Sequence, residues 1–348
     1  MWALTNQTPF AAERAFVRDR DGAEIWLVAI RGTFKITPSG EVSIAEEQLP
    51  VVMAPKYEGD PSSTPLLYES DLVRTKTATD VIVLGSAHAP AGTSVEQLTV
   101  RLQVGPVDKQ VVVRGNNVIR EGTFGTRQAS KPERFERLPI SYARAYGGAQ
   151  PAEDGKPPIW ERRNPIGVGF DSRVGQDLPG QHYPTEQVAP GRALTPASFG
   201  PIPASWEPRV GYAGTYDDAW KQERQPLVPS DFDDRHFQCA PSDQQVPGFL
   251  RGGEEVTLTH FTPNSELRFT LPRHSFGFRT RIAGAVTHHR ANLHTVIIEP
   301  DAQRLTVVWH SSLLCHHTLY TLRETTVFEK RRLERSAALA VAGEEEGK

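Results

Sequence analysis

The sequence has little of what marks several large classes of proteins. Its 348 residues include two cysteines, Cys239 and Cys315, which are too few for a disulfide framework. A single disulfide between them is the alternative, but two free thiols in a reducing compartment are the simpler expectation. The longest apolar runs, such as 25–30 and 81–84, are far too short to cross a bilayer. The net charge of −3 gives no electrostatic reason to expect nucleic acid or an anionic membrane as a partner.

The chain also lacks the usual signatures of secretion and of catalysis. Its first ten residues contain no basic stretch followed by a long apolar stretch, so no signal peptide is predicted and we expect a cytoplasmic protein. There is no His-Glu-x-x-His, no Cys-x-x-Cys, no Gly-x-Ser-x-Gly elbow and no Walker-type phosphate loop. We therefore predict no catalytic residue, no metal and no cofactor, and we expect that the chain is not an enzyme.

What the sequence does contain is strand patterning in two regions, 1–145 and 250–330. Apolar residues alternate with polar ones over 98–104, which favours a strand with one wet face, and 109–113 is a candidate hairpin partner. The run 81–84 is apolar throughout and favours a strand buried on both faces. Near the C-terminus, 295–298 and 305–309 flank a Pro-Asp turn. The prediction is a mainly β fold with two β-rich regions of sandwich-like antiparallel sheets and few short helices.

Between these regions lies a segment of different composition, 146–249. Residues 146–240 contain 13 of the 28 prolines and 11 of the 28 glycines, which weaken regular elements. The same stretch is rich in aromatic residues, whereas disordered segments are poor in them. We therefore predict a long ordered, irregular insert. A short helix is expected near 217–223, with Asp217 as its cap.

The C-terminal end is charged and rich in alanine from Arg323 onward. This composition favours a short terminal helix that frays before the glutamates at 344–346. The last 18 residues, 331–348, are interpreted as a charged tail outside the β-rich region.

Several strings follow one another along the chain: KTATDVIVLGSAHAP (76–90), VGPVDK (104–109), LPISYARAYGG (138–148), NPIGVGF (164–170), PASFGPI (196–202) with the aromatic run that follows it, PSDFD (229–233), APSDQ (240–244) and LRGGE (250–254). In this order they resemble a bacterial adaptor or chaperone family whose genes lie beside those of VgrG spike proteins, PAAR tip proteins and effectors of the type VI secretion system. Together the similar parts cover roughly residues 10–275, and the resemblance is loose after about 280.

The resemblance implies a role in effector loading. The protein would bind a secreted effector, or its PAAR or spike-linked segment, and help to deliver it to the VgrG spike. It implies no catalytic residues that can be carried over to this chain.

The middle segment supplies the candidate partner-binding residues. Trp, Tyr and Arg dominate the energetics of protein interfaces because they bury a large area and still offer a polar group. The alternative is that these side chains pin irregular backbone, which is the better expectation for most of them individually. The candidates are Arg144, Tyr146, Phe170, Trp206, Arg209, Tyr212, Tyr216 and Trp220.

Histidines near the C-terminus suggest an alternative function, a metal-dependent enzyme. If the strands around 287–298 and 305–310 pair, some of these rings converge, and imidazole is a good ligand for zinc or copper. A closed zinc site needs about four converging ligands, so strand-edge or surface histidines are the simpler interpretation. The eight are His260, His274, His288, His289, His294, His310, His316 and His317.

Overall fold

A computed structural model describes residues 2–152 and 157–330. The described chain is mainly β, as the sequence predicts. In chain order the strands are β1 (Ala3–Asn6), β2 (Ala11–Arg18), β3 (Glu24–Ile36), β4 (Val42–Ile44), β5 (Lys56–Tyr57), β6 (Leu66–Tyr68), β7 (Ala78–Val83), β8 (Gly85–His88), β9 (Gln97–Val104), β10 (Val107–Arg114), β11 (Ile119–Glu121), β12 (Arg127–Ala129), β13 (Arg137–Ile140), β14 (Tyr146–Gly147), β15 (Ala149–Gln150), β16 (Ile159–Trp160), β17 (Val168–Gly169), β18 (Gln181–His182), β19 (Gln245–Pro247), β20 (Glu255–Thr259), β21 (Glu266–Thr270), β22 (Phe276–Ile282), β23 (Ala285–Arg290), β24 (Asn292–Glu299), β25 (Arg304–His316) and β26 (Glu324–Glu329).

Helical structure in the described residues is short. One α-helix, α1 (Asp218–Glu223), begins after Asp217, whose carboxylate accepts a hydrogen bond from the backbone N–H of Trp220, so the predicted cap is confirmed. Single 3₁₀ turns cover Thr123–Gly125, Tyr142–Arg144, Arg209–Ala213, Asp234–Phe237, Ser242–Gln244, Pro300–Ala302 and Leu319–Thr321. Nowhere in 2–152 and 157–330 does a helix combine the length and the apolar character that crossing a membrane requires.

The largest sheet has seven strands, in the order β19-β7-β24-β25-β3-β2 with β4 beside β3. At its centre β3 and β25, each 13 residues long, pair antiparallel over most of their length. Residues 26–30 of β3 are buried on both faces, which explains the continuous apolar run in the sequence. Gly32 interrupts this run because a Cβ there would lie 2.9 Å from ring atoms of Phe34 and Trp309.

A five-stranded antiparallel sheet follows the order β18-β10-β9-β20-β21. Its β9–β10 hairpin confirms the predicted pairing, with Val104 opposite Val107 and Gly105 in the turn at φ +54°. Alternate residues of β10 are buried, as expected for a strand with one wet face. The other predicted hairpin, β24–β25 around the turn at Pro300–Ala302, is confirmed as well.

The third large sheet has four strands, in the order β1-β26-β22-β23. The expectation of a terminal helix from Arg323 is wrong for Glu324–Glu329, which form the central strand β26. Its interior residues Thr325, Thr326 and Val327 are β-branched and buried, so tertiary pairing decides the conformation despite the charged ends. The charged tail predicted for 331–348 lies outside the described residues.

All three large sheets combine strands from both β-rich regions. The seven-stranded sheet, for example, joins β3 and β7 to β24 and β25. Side chains from the three sheets form one continuous apolar cluster, which includes Val28 of the seven-stranded, Leu102 of the five-stranded and Phe278 of the four-stranded sheet. The two β-rich regions of the sequence are therefore interleaved around a shared core.

The loop segment, residues 146–249, is irregular, as its composition predicts, except that 153–156 lie outside the described residues. Its strands β14 to β19 are only two or three residues long. Even so, many of its side chains are buried, among them Asn164, Gln181, Phe199 and Gln244. The loop segment is thus part of the packed body of the protein.

Candidate functional site

One large concave surface of the described residues is a cleft of about 1180 Å³, which we call the sheet-junction cleft. Residues 248–251, which follow β19, and 292–293 of β24 line it from the seven-stranded sheet. Residues 273–276, Arg290 and 328–330 line it from the four-stranded sheet, where Phe276 pairs with Glu329 and Gly277 with Arg290. The cleft therefore opens where the seven-stranded and four-stranded sheets diverge.

Three arginines, Arg251, Arg273 and Arg290, line this cleft and are exposed. Their guanidinium groups form no ion pair or hydrogen bond with any residue that the structure describes. Lys330 adds a fourth cation, and the one carboxylate in the lining, that of Glu329, lies 2.6 Å from Nδ1 of His274. The cleft therefore presents unpaired positive charge on a chain whose net charge is negative.

A glycine turn places two of these arginines close together. Gly252 has φ +81°, and a Cβ there would lie 2.5 Å from the carbonyl oxygen of Pro272 and 2.8 Å from Cα of Arg273. Only glycine tolerates both this conformation and this approach. The close contact brings Arg251 next to the 272–273 backbone.

Aromatic rings form the inner wall of the cleft. Phe276 and Trp309 are almost fully buried and pack edge to face at 5.0 Å between centroids. The ring of His274 stacks on Phe276 at 6.1 Å. On the opposite side Phe249, with φ +66°, stacks on His294 at 5.6 Å. The wall is rigid, because its rings are locked by core packing.

Behind this wall lies a buried charged cluster. Lys76 Nζ is 2.6 Å from Asp80 Oδ2 and 2.9 Å from Thr295 Oγ1, and the same carboxylate oxygen accepts from the backbone N–H of Cys239. Burial acts to lower the pKa of Lys76, but the charge and hydrogen bond of Asp80 together with the neighbouring Cys239 give a net rise in that pKa. Burial raises the pKa of Cys239, so its thiol stays protonated. Cys239 and Cys315 are both free.

Two of the eight C-terminal histidines do converge. His294 and His310 stack with 4.5 Å between ring centroids, and His294 Nδ1 and His310 Nε2 have no partner among the described residues. Burial lowers the pKa of His310 to about 3 and that of His294 well below its usual range, with Lys76 adding repulsion to both. Stacked rings direct their nitrogens in parallel and make a poor pair of metal ligands.

A third buried histidine, His289, belongs to a separate hydrogen-bond chain. Its Nδ1 lies 2.6 Å from Ser311 Oγ, and its Nε2 lies 2.7 Å from Thr280 Oγ1. Thr280 Oγ1 also forms a hydrogen bond with Thr325 Oγ1, which accepts from the indole N–H of Trp26. Because Ser311 donates to a backbone carbonyl, every donor in this chain has an acceptor, and burial lowers the pKa of His289 to about 4. The arrangement stabilises the contact between the seven-stranded and four-stranded sheets.

The other five histidines are spread over the fold. His274 lines the cleft, His260 donates from Nδ1 to the Thr99 carbonyl, and three are exposed: His288, His316 and His317. No group of three or more His, Cys, Asp or Glu side chains within 2–152 and 157–330 is arranged to hold a metal ion. The sequence argument missed the Ser311–His289 contact because their strands, β25 and β23, are not neighbours in any sheet.

Five of the eight candidate partner-binding residues anchor the loop segment. Arg209 is 4% exposed, forms an ion pair with Glu69 at 2.7 Å and donates to two backbone carbonyls. Trp206 packs edge to face on Tyr142. The remaining three, Arg144, Tyr146 and Phe170, are buried or half-buried against neighbouring loops. In this conformation these side chains hold irregular backbone in place.

The other three candidates lie around α1 and reach the surface. Tyr216 is 52% exposed and packs on Trp220 at 4.7 Å between centroids. Tyr212 is half-exposed beneath the guanidinium of Arg235, 4.4 Å from its ring centroid. Partner binding stays a prediction for this group, and the structure does not bring it together with the sheet-junction cleft.

A smaller pocket of about 420 Å³ contains a His–Asp pair. His88 Nε2 lies 2.8 Å from Asp301 Oδ1, and Arg137 Nη2 lies 2.9 Å from Asp301 Oδ2. Burial acts to raise the pKa of Asp301, but hydrogen bonds from His88, Ser86 and Arg137 together lower it. Asp301 therefore stays ionised and ties the β24–β25 turn to β8 and β13.

Comparison with known proteins gives one match. Residues 21–310 match the model of a family described as an uncharacterized protein conserved in bacteria (DUF2169). No curated protein and no solved structure matches the chain. Because the family model spans well over half of the sequence, this chain belongs to the bacterial DUF2169 family.

Proposed function

We propose that this protein is an adaptor or chaperone of the type VI secretion system. It binds a secreted effector protein, or its PAAR or spike-linked segment, and helps to load it onto the VgrG spike. In this proposal the protein works by recognition and catalyses no reaction, and it acts in the cytoplasm.

The observation that carries the proposal is the sheet-junction cleft. Its volume of about 1180 Å³ exceeds the range of roughly 300–1,000 Å³ that is typical of small-molecule sites, so a segment of polypeptide is the better fit. Its rim carries arginines, which are enriched at protein interfaces. The ordered strings that resemble the adaptor family, from 76 to 254, fall inside the part of the chain that matches DUF2169.

The positions of the histidines favour this proposal over the metal-dependent enzyme. His294 and His310 are buried and stacked, and His289 is bonded on both ring nitrogens, so these rings face packed side chains. The enzyme alternative stays a prediction with a direct test. A stoichiometric transition metal in the untagged protein, measured by elemental analysis, would favour it.

The adaptor proposal is tested by copurification of the tagged full-length chain with the products of the neighbouring genes. We expect a stoichiometric complex with an effector or a PAAR protein, stable to gel filtration. During secretion the effector should reach the culture supernatant while this protein stays in the cells. Recovery of none of the neighbouring products would contradict the proposal.

A further inference from the structure

We infer that the sheet-junction cleft is the docking site for an acidic, extended peptide segment of the partner protein. This inference rests on the proposed function, since it names the chemistry of the partner. It assigns the recognition to Arg251, Arg273 and Arg290.

Charge is the first argument. Two buried arginines elsewhere in the described chain are paired with carboxylates, Arg31 with Asp71 at 2.9 Å and Arg209 with Glu69 at 2.7 Å. In the cleft three guanidinium groups stand without such a partner. A guanidinium presents a planar fork that binds a carboxylate through two parallel hydrogen bonds. The arrangement therefore fits side chains of Asp or Glu.

Position is the second argument. Arg251 and Arg273 lie close together because of the Gly252 turn, and Arg290 lies at the end of β23, opposite Gly277 of β22. A ligand that contacts all three arginines must reach residues from three separate segments of the chain. An extended peptide with carboxylates spaced along it meets this requirement, and the polar side chains of Ser275 and Asn292 in the lining are available for its backbone.

The character of the wall distinguishes a peptide from a nucleic acid. Single-stranded nucleic acids bind through aromatic rings on which the bases stack. Here Trp309 and Phe276 are 4% and 3% exposed, so their faces are closed to a base. Glu329 in the lining and the net charge of −3 oppose any anionic ligand, and they oppose it more strongly the more densely charged it is. An acidic peptide carries fewer charges per unit length and tolerates this setting better.

The test uses the full-length chain and a fluorescently labelled peptide of alternating Glu and Gly residues. The cleft variant combines Arg251→Glu, Arg273→Glu and Arg290→Glu. The matched control combines Arg18→Glu, Arg120→Glu and Arg192→Glu, which are exposed arginines without ion pairs in the described chain and give the same change in net charge. We expect fluorescence anisotropy to show salt-dependent binding by the wild type and the control, and a loss of roughly tenfold to hundredfold in affinity for the cleft variant.

Three outcomes would overturn the inference: no binding of the peptide by the wild type, an equal loss in both variants, or cleft-dependent binding of a labelled oligonucleotide in place of the peptide. Copurification with the neighbouring gene products separates the two proposals. If the cleft variant still recovers the partner as well as the wild type does, the docking site is wrong and the adaptor proposal stands. If the wild type recovers no partner but binds the acidic peptide through the cleft, the adaptor proposal fails and the binding site stands.

Discussion

In the three large sheets, backbone ladders satisfy the peptide groups, whereas in the loop segment buried amide side chains do much of this work. Asn164 donates to the carbonyls of Tyr142 and Tyr146, and Gln181 accepts from the N–H of Ser141 while it donates to the carbonyl of Ala197. Both amides are fully buried. A sheet repeats one bond pattern, but each loop needs its own side chain at its own position. Irregular backbone can therefore be as buried as a strand, but the side chains that satisfy it cannot be substituted without leaving buried peptide groups unpaired.

The largest effect is expected from a substitution at the contact between the sheets and the loop segment. Lys76→Met removes the cation beside the Asp80 carboxylate of β7, which also accepts a hydrogen bond from the backbone N–H of the loop residue Cys239. Because the Asp80 carboxylate is left buried without its cation, we expect a loss of about 3–5 kcal/mol in the free energy of unfolding. Urea denaturation measures it.

The control for this prediction is the same substitution in an exposed ion pair, Lys221→Met beside Asp218. It should cost less than about 1 kcal/mol. Adding Asp80→Asn to Lys76→Met should recover part of the loss, since no buried charge is left uncompensated. A Lys76→Met protein as stable as the wild type would show that the cluster does not join the two regions.

Within the sheets, the comparison is tested by lowering the pH until His289 is protonated and measuring the free energy of unfolding. Its pKa is lowered to about 4 in the folded protein, against about 6.5 in an unfolded chain. Between pH 4 and pH 6.5 the unfolded chain binds the proton at residue 289 more readily than the folded protein does. The stability contributed by neutral His289 is therefore present above pH 6.5 and is lost as the pH falls toward 4. The loss should reach roughly 3 kcal/mol by pH 4.

Urea denaturation at a series of pH values, for the wild type and for His289→Gln, isolates this contribution. Glutamine can bond both Ser311 and Thr280 but does not titrate, so the variant should lose less stability on acidification. His317→Gln, an exposed histidine, should follow the wild type. Parallel curves for the wild type and His289→Gln would contradict the assignment.

In the loop segment, Asn164→Ala removes the amide that donates to the carbonyls of Tyr142 and Tyr146, of which the Tyr142 carbonyl keeps the N–H of Ala145. We expect a loss of about 2 kcal/mol in the free energy of unfolding. The same substitution at the exposed Asn264 should change it by less than about 0.5 kcal/mol. Thermal unfolding followed by circular dichroism measures both, and equal effects would show that the amide at 164 does not hold the loops.

Local patterns in the sequence predict many of the strands but not their partners. The alternation in 98–104 and the turn at Gly105 identify the β9–β10 hairpin because both signals are local. The pairing of β3 with β25 joins residues more than 250 positions apart, and no local pattern specifies it. The expected helix is wrong over 324–329 for the same reason, since β26 acquires its partners β1 and β22 only in the folded sheet.

The candidate site is harder to predict. Arg251, Arg273 and Arg290 lie on separate elements, and each alone is an ordinary surface arginine. The one available signal was the Arg-Gly-Gly string at 251–253, whose glycines indicate a close backbone approach. The aromatic residues of the loop segment are conspicuous in composition, yet most of them turn out to hold loops, because large rings are also the most effective way to fill irregular interiors.

The pairing of β1 with β26 and of β3 with β25 sets an order on biosynthesis. A ribosome delivers β1 and β3 at the start, but their partners emerge only after residue 300, so neither sheet can be completed on a partly made chain. The early strands must wait as unpaired edges, which is a hazard for association with other nascent chains. The two sheets are therefore expected to form only after β25 and β26 have emerged, and a product that ends before β24 should be insoluble.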